Sequence, residues 1–125
     1  MSPFKFDPLE SGLRKTLKEY QELALRSVWE VGEKGANSGV VYRAVNERLG
    51  EGKSISRASV ITFLYKMADD GVLGFKDATS KGGHHPVYFG KLSEEGYKKY
   101  LLRTVIDSMM RDFPGETREV LREYP

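Results

Sequence analysis

The chain has no cysteine, two histidines and one tryptophan among its 125 residues. Each scarcity removes a class of function. Without cysteine there is no disulfide framework, no thiolate zinc site and no cysteine nucleophile. The two histidines, His84 and His85, are neighbours in the chain. On a strand such neighbours point to opposite faces. No further histidine and no cysteine exist to complete a metal site, so the pair reads as solvated or as a phosphate contact. Long apolar runs are missing too. The longest, Val60 to Tyr65, includes a threonine and falls well short of the ~18 residues that a membrane span requires. Phe4, Lys5, Phe6 and Asp7 mix charge with aromatics where a secretory signal would be greasy. The expectation is a cytoplasmic protein without membrane association. There is no nucleophile elbow, no glycine-rich phosphate motif and no histidine in a serine or aspartate context. Neither an enzyme nor a cofactor is expected.

What remains is enough for one modest core, with 39% hydrophobic and 30% charged residues. The net charge is only +2, but its distribution is uneven. Residues 1–92 carry 14 bases and 11 acids, whereas residues 93–125 carry 6 and 7. Between residues 53 and 91 stand Lys53, Arg57, Lys66, Lys76, Lys81 and Lys91 against Asp69, Asp70 and Asp77. An anionic partner should meet this middle third.

Punctuation along the chain gives an element order. Residues 1–15, with Pro3, Pro8 and Gly12, read as an arm. Thr16-Leu17-Lys18-Glu19 has the form of a capping box. It opens a helix whose apolar positions Leu17, Tyr20, Ala24, Val28 and Val31 recur at helical spacing up to Gly32. Asn37 and Ser38 can cap a second helix ending at Gly50. Lys53-Ser54-Ile55 suits a small edge strand. Ser56 caps a third helix, with Val60, Leu64 and Met67 on one stripe and Gly71 closing it. Two β-rich runs, 72–76 and 86–91, flank the polar tip 77–85 and form a hairpin. Ser93 caps a long last helix that stops before Pro114, leaving a short charged tail. The fold class is mainly α with a small antiparallel β wing. Residues 16–92 form a winged helix-turn-helix, and residues 93–125 a dimerisation helix and tail.

The third helix carries the sharpest chemistry. Opposite its apolar stripe lie Ala58, Ser59, Thr62, Tyr65 and Lys66, with no acid before Asp69, and Arg57 in the first turn is a further expected DNA contact. Small residues let a helix approach base edges, hydroxyls bond bases or phosphates, and the cations add attraction. Lys81, followed by two glycines, and His84 supply a second contact from the wing tip. Trp29 reads as a core residue. Of Tyr88 and Phe89, one faces the core. The last helix has two adjoining stripes: Tyr97, Leu101, Val105 and Met109, beside Leu102, Ile106, Met110 and Phe113. Either they pack on Leu13 and Leu17 of the same chain or they meet a second copy. The second is favoured, because so wide an apolar surface in water is unusual. Tyr97, Leu101, Leu102, Val105, Ile106 and Met109 are the expected dimer contacts. The expected partners are double-stranded DNA and a second copy of the chain.

These residues also resemble a known family. The run Glu22 to Gly32, with its Val28-Trp29-Glu30-Val31-Gly32 ending, is similar to the first helix of the penicillinase-repressor (BlaI/MecI-type) family. Ser59-Val60-Ile61-Thr62-Phe63-Leu64, followed by Asp70-Gly71-Val72-Leu73, resembles that family's recognition helix and turn. Tyr88 to Glu95 resembles its exit from the wing, and Phe113-Pro114-Gly115 its closing phrase. The resemblance implies a homodimeric repressor on a palindromic operator, with Ser59, Thr62 and Lys66 at DNA-facing positions. Asp70 departs from the usual lysine, and the wing is longer. The last helix has no Asn-Phe cleavage pair and there is no cysteine-rich tail, which leaves the effector open. The rival readings are a protein-interaction module built on the same helix face and an architectural DNA binder of low specificity.

Overall fold

The computed structural model of the protein describes residues 5–80 and 83–125, with side chains at all of these except 78–80, 83 and 84. The first three helices start in different ways. α1, Glu19–Val31, follows a 3-10 turn at Gly12–Lys15 rather than a capping box at Thr16. Thr16 closes that turn by giving its N–H to the Leu13 carbonyl, so the helix begins two residues later than the sequence suggests. There Gln21 Oε1 accepts the Lys18 N–H at 2.9 Å. α2, Ser38–Arg48, starts as expected, with Asn37 Oδ1 accepting the Val40 N–H at 2.9 Å. So does α3, Arg57–Asp69, where Ser56 Oγ accepts the Ser59 N–H at 3.1 Å. Each of these bonds satisfies a donor that the first helical turn leaves open. Gly71, at φ +81°, lets the chain leave α3 in the left-handed region that glycine tolerates.

The sheet differs from the sequence reading in two respects. β2, Leu73–Ser80, and β3, Gly83–Gly90, pair antiparallel from Leu73↔Gly90 out to Ser80↔Gly83. The polar tip expected over 77–85 is therefore mostly strand. The edge strand expected at Lys53-Ser54-Ile55 is also absent from that place. Asn46 explains why: its side chain accepts the Ile55 N–H at 2.9 Å and donates to the Ile55 carbonyl at 3.3 Å. Both backbone groups are thereby occupied without a strand partner. The third strand is β1, Ala36–Asn37, which joins the outer side of β3 with Ala36 opposite Tyr88. Gly35, at φ +82°, lies so close to Val87 Cγ1 and the Tyr88 carbonyl that a Cβ there would collide with both.

The chain divides into two compact units, residues 1–93 and 94–125. In the first, Ala24, Leu25 and Val28 of α1 are buried, as are Val41 and Val45 of α2 and Val60, Phe63, Leu64 and Met67 of α3. Val72, Leu73 and Tyr88 of the wing, together with Ala36, are buried as well. Three helices followed by a hairpin, with one short additional strand, form a winged helix-turn-helix. Leu13 and Leu17 are buried too, so the 3-10 turn within the expected arm contributes to the core. Trp29 is structural: its indole N–H donates to the Leu92 carbonyl at 3.0 Å.

The second unit holds α4, Glu94–Asp112, and α5, Pro114–Leu121. The charged tail expected after Pro114 is helical. Proline suits the first turn of a helix, where its missing N–H costs nothing, and the Thr117 N–H returns to the Phe113 carbonyl at 2.9 Å. Glu94–Lys98 and Glu95–Lys99 ion pairs run along the first turns of α4, and Tyr97 stacks on Tyr100 with ring centres 6.0 Å apart. Met109, Phe113, Val120 and Leu121 line a shallow apolar cleft of about 310 Å³. Among the described residues, no helix is long and apolar enough to cross a membrane.

Candidate nucleic-acid interface

The rotation of α3 decides what it presents. Val60, Phe63, Leu64 and Met67 are buried, and burying each such side chain stabilises by roughly 1.5–3 kcal/mol. The polar positions opposite contribute far less, so these four apolar groups set the helix's orientation. Arg57, Ala58, Thr62 and Tyr65 are consequently exposed, and Ser59 and Lys66 are half-buried. Ser59 is also tied into the cap, its hydroxyl 2.9 Å from that of Ser56. Lys66 reaches the wall of a groove shared with the segment around Lys15 and Lys18. From Ala58 to Tyr65 the outer face carries no carboxylate.

That surface continues toward the wing. Tyr65 is 58% exposed and Phe75, on β2, is 53% exposed. Buried Tyr88 lies by both: its ring is 6.2 Å from that of Phe75. Burial, and secondarily the neighbouring Tyr65, push the Tyr88 phenol above its ordinary value. Tyr88 is thus the core-facing member of the Tyr88-Phe89 pair. Lys76 and His85 are exposed on the wing strands, and Lys91 is exposed just beyond β3. Lys81 and the side chain of His84 lie outside the described residues.

A second cationic feature escaped the sequence reading. The guanidinium groups of Arg43, on α2, and Arg57, at the start of α3, converge above Gly39. A Cβ placed on Gly39 would lie 3.6 Å from the first and 3.4 Å from the second. Among the described residues, no carboxylate pairs with either. Three other cations of this unit are paired: Arg26 with Glu22, Arg48 with Glu30 and Lys53 with Glu19. The hydrogen bond from Arg48 holds the Glu30 carboxyl below its usual range. Two adjacent unpaired guanidiniums beside the positive end of a helix favour an anion between them. The sequence held a usable signal, because Arg43 follows Gly39 by four residues and so shares its face of α2.

Of the expected dimer contacts, Leu102 and Met109 are exposed on α4, Leu101, Val105 and Ile106 are half-buried, and Tyr97 is buried. Among the described residues, no group of three His, Asp or Glu side chains is gathered as a metal site.

No family model matches the chain, and no curated protein does. The solved structures similar to it include two transcriptional regulators. One is a candidate transcriptional regulator, TA0346 of Thermoplasma acidophilum, at 17% identity and a TM-score of 0.47, over 74% of this chain and 93% of that one. The other is a PadR-family transcription regulator from hypervirulent Clostridium difficile, at 18% identity and a TM-score of 0.47, over 78% of this chain and all of that one. Likenesses this slight do not carry a function across, and the functional reading rests on the site itself.

Proposed function

We propose that the protein is a sequence-specific DNA-binding transcriptional regulator, acting in the cytoplasm as a homodimeric repressor on a palindromic operator. The observation that carries this reading is the uncovered, acid-free face of α3, with two unpaired guanidiniums at its beginning. In this reading Ala58, Thr62 and Tyr65 face base edges in the major groove. Ala58 permits close approach, the Thr62 hydroxyl and methyl serve base edges, and Tyr65 adds a hydrogen-bonding rim toward the wing. Arg43 and Arg57 hold a phosphate beside the start of α2, and Ser59 and Lys66 contribute backbone contacts that position rather than specify. Lys81 and His84 are proposed as wing contacts along the duplex. Arg57 and Lys66 lie in the basic middle third, whose local charge offsets the small net charge of the chain.

The apolar α4 stripe of Leu101, Leu102, Val105, Ile106 and Met109 supports a two-fold dimer, with buried Tyr97 left out of the contact. Two α3 helices would then address half-sites one helical turn apart, or a multiple of it. Selection of bound fragments from a random duplex pool tests the reading. The expected product is a single enriched motif with two-fold symmetry. A pool that stays random while binding persists would favour the architectural alternative, and no retained DNA would favour a protein-interaction module.

A further inference from the structure

One cavity of the first unit lies away from the wing and touches α3 only at Lys66. It is a groove of about 670 Å³, open to solvent, between the segment 5–18, the start of α1 and the Lys66 turn of α3. Lys5, Arg14, Lys15, Lys18 and Lys66 line it, against only Asp7 and Glu10. No ion pair forms across it among the described residues. The Lys15 ammonium is spent on the wall itself, donating to the Pro8 carbonyl at 3.2 Å and the Glu10 carbonyl at 2.6 Å. The Asp7 N–H returns to the Lys15 carbonyl at 2.7 Å, and Asp7 Oδ1 accepts the Leu9 N–H at 2.9 Å. These bonds hold the segment 7–15 as a closed loop rather than a loose arm. The volume falls within the ~300–1,000 Å³ of small-molecule sites.

We infer that this groove binds a small phosphate-bearing polyanion. Its cations outnumber its carboxylates by five to two, and a concave wall with such an excess concentrates field and attracts counter-charge. Arg14 and Lys18 flank the loop-to-helix junction and supply cationic donors, while Phe6 offers an apolar surface for any organic body that the phosphates carry. Lys66 belongs to both this groove and α3. An anion here therefore competes for a cation that the DNA-binding reading assigns to the duplex. That consequence rests on the proposed function; the site itself does not.

Calorimetric titration of the full chain at low salt, with inorganic pyrophosphate and with ADP, tests the site directly. With the second anion site removed by Arg43→Ala/Arg57→Ala, the expected result is one ion per protomer, weakened at least tenfold by adding Arg14→Ala/Lys18→Ala and changed less than twofold by adding Lys34→Ala, an exposed cation outside both sites. Tighter binding of ADP than of pyrophosphate supports an organic phosphate as the ligand, and equal binding a free one. Failure of both ions to bind at millimolar concentration, or loss of binding in the Arg43/Arg57 variant itself, overturns the proposal. Thermal melting of each variant checks that it remains folded. A protein that binds pyrophosphate but no DNA would sink the regulatory reading and leave this site standing.

Discussion

Arg43 and Arg57 come from different helices yet bring their guanidinium groups over the same residue, Gly39, with no carboxylate paired to either among the described residues. Like charges this close gain from an anion between them. Arg43→Ala and Arg57→Ala should each flatten the log-log dependence of DNA affinity on salt by about one unit. Because both side chains are exposed, stability should change by no more than ~0.5 kcal/mol. Anisotropy titrations at several salt concentrations measure the slope, and unchanged slopes would remove these residues from the interface.

Asn46 sets the turn between α2 and α3. Besides its two bonds to Ile55, its amide donates to the Tyr42 carbonyl at 2.9 Å. Asn46→Ala should cost about 1–2 kcal/mol in urea denaturation, since the part-buried Ile55 groups lose their partner while water recovers some of the loss. Asn46→Asp keeps the acceptor for the Ile55 N–H and should lose less. A cost below ~0.5 kcal/mol for the alanine variant would contradict this role.

Tyr88 predicts an alkaline limit. Its phenol stands above the ordinary value of 10.0 because it is desolvated, with Tyr65 adding to the effect. A group with a raised folded pKa holds its proton more tightly in the native state. Its contribution is complete below pH 10 and is lost as pH rises through the folded value. Between pH 9 and pH 11 the protein should therefore lose stability more steeply than Tyr88→Phe. The difference is bounded by about 1.4 kcal/mol per pH unit for one proton. Parallel stability curves would show that the phenol does not titrate in this range.

The apolar stripe of α4 carries a prediction about assembly. Val105→Asp together with Ile106→Asp should halve the sedimenting mass and leave the helical circular dichroism in place. A dimer that persists in this variant would locate the interface elsewhere.

Much of the fold was legible because its signals are local. The caps at Asn37 and Ser56, the Val60-Leu64-Met67 stripe and the Gly71 stop each depend on residues within a few positions. Two of the errors involve non-local partners. Ile55 resembles a strand residue until Asn46, nine positions earlier in the chain, occupies both its backbone groups. Ala36 becomes a strand only because Tyr88 lies opposite it. The same division holds for the site. The outer face of α3 follows from helical period alone, whereas the Arg43–Arg57 convergence needs the angle between two helices, which no period encodes.

The central claim is that the exposed side of α3 enters a DNA duplex, and Thr62→Glu tests it most directly. The substitution places a carboxylate at the middle of that face without touching the buried stripe, so thermal stability should be retained. Against a selected duplex, the natural protein should lose affinity steeply with salt, with a slope of roughly −0.9 for each phosphate neutralised. Thr62→Glu should abolish specific binding at every salt concentration. Binding by the natural protein that ignores salt, or binding by Thr62→Glu that matches it, would contradict the account.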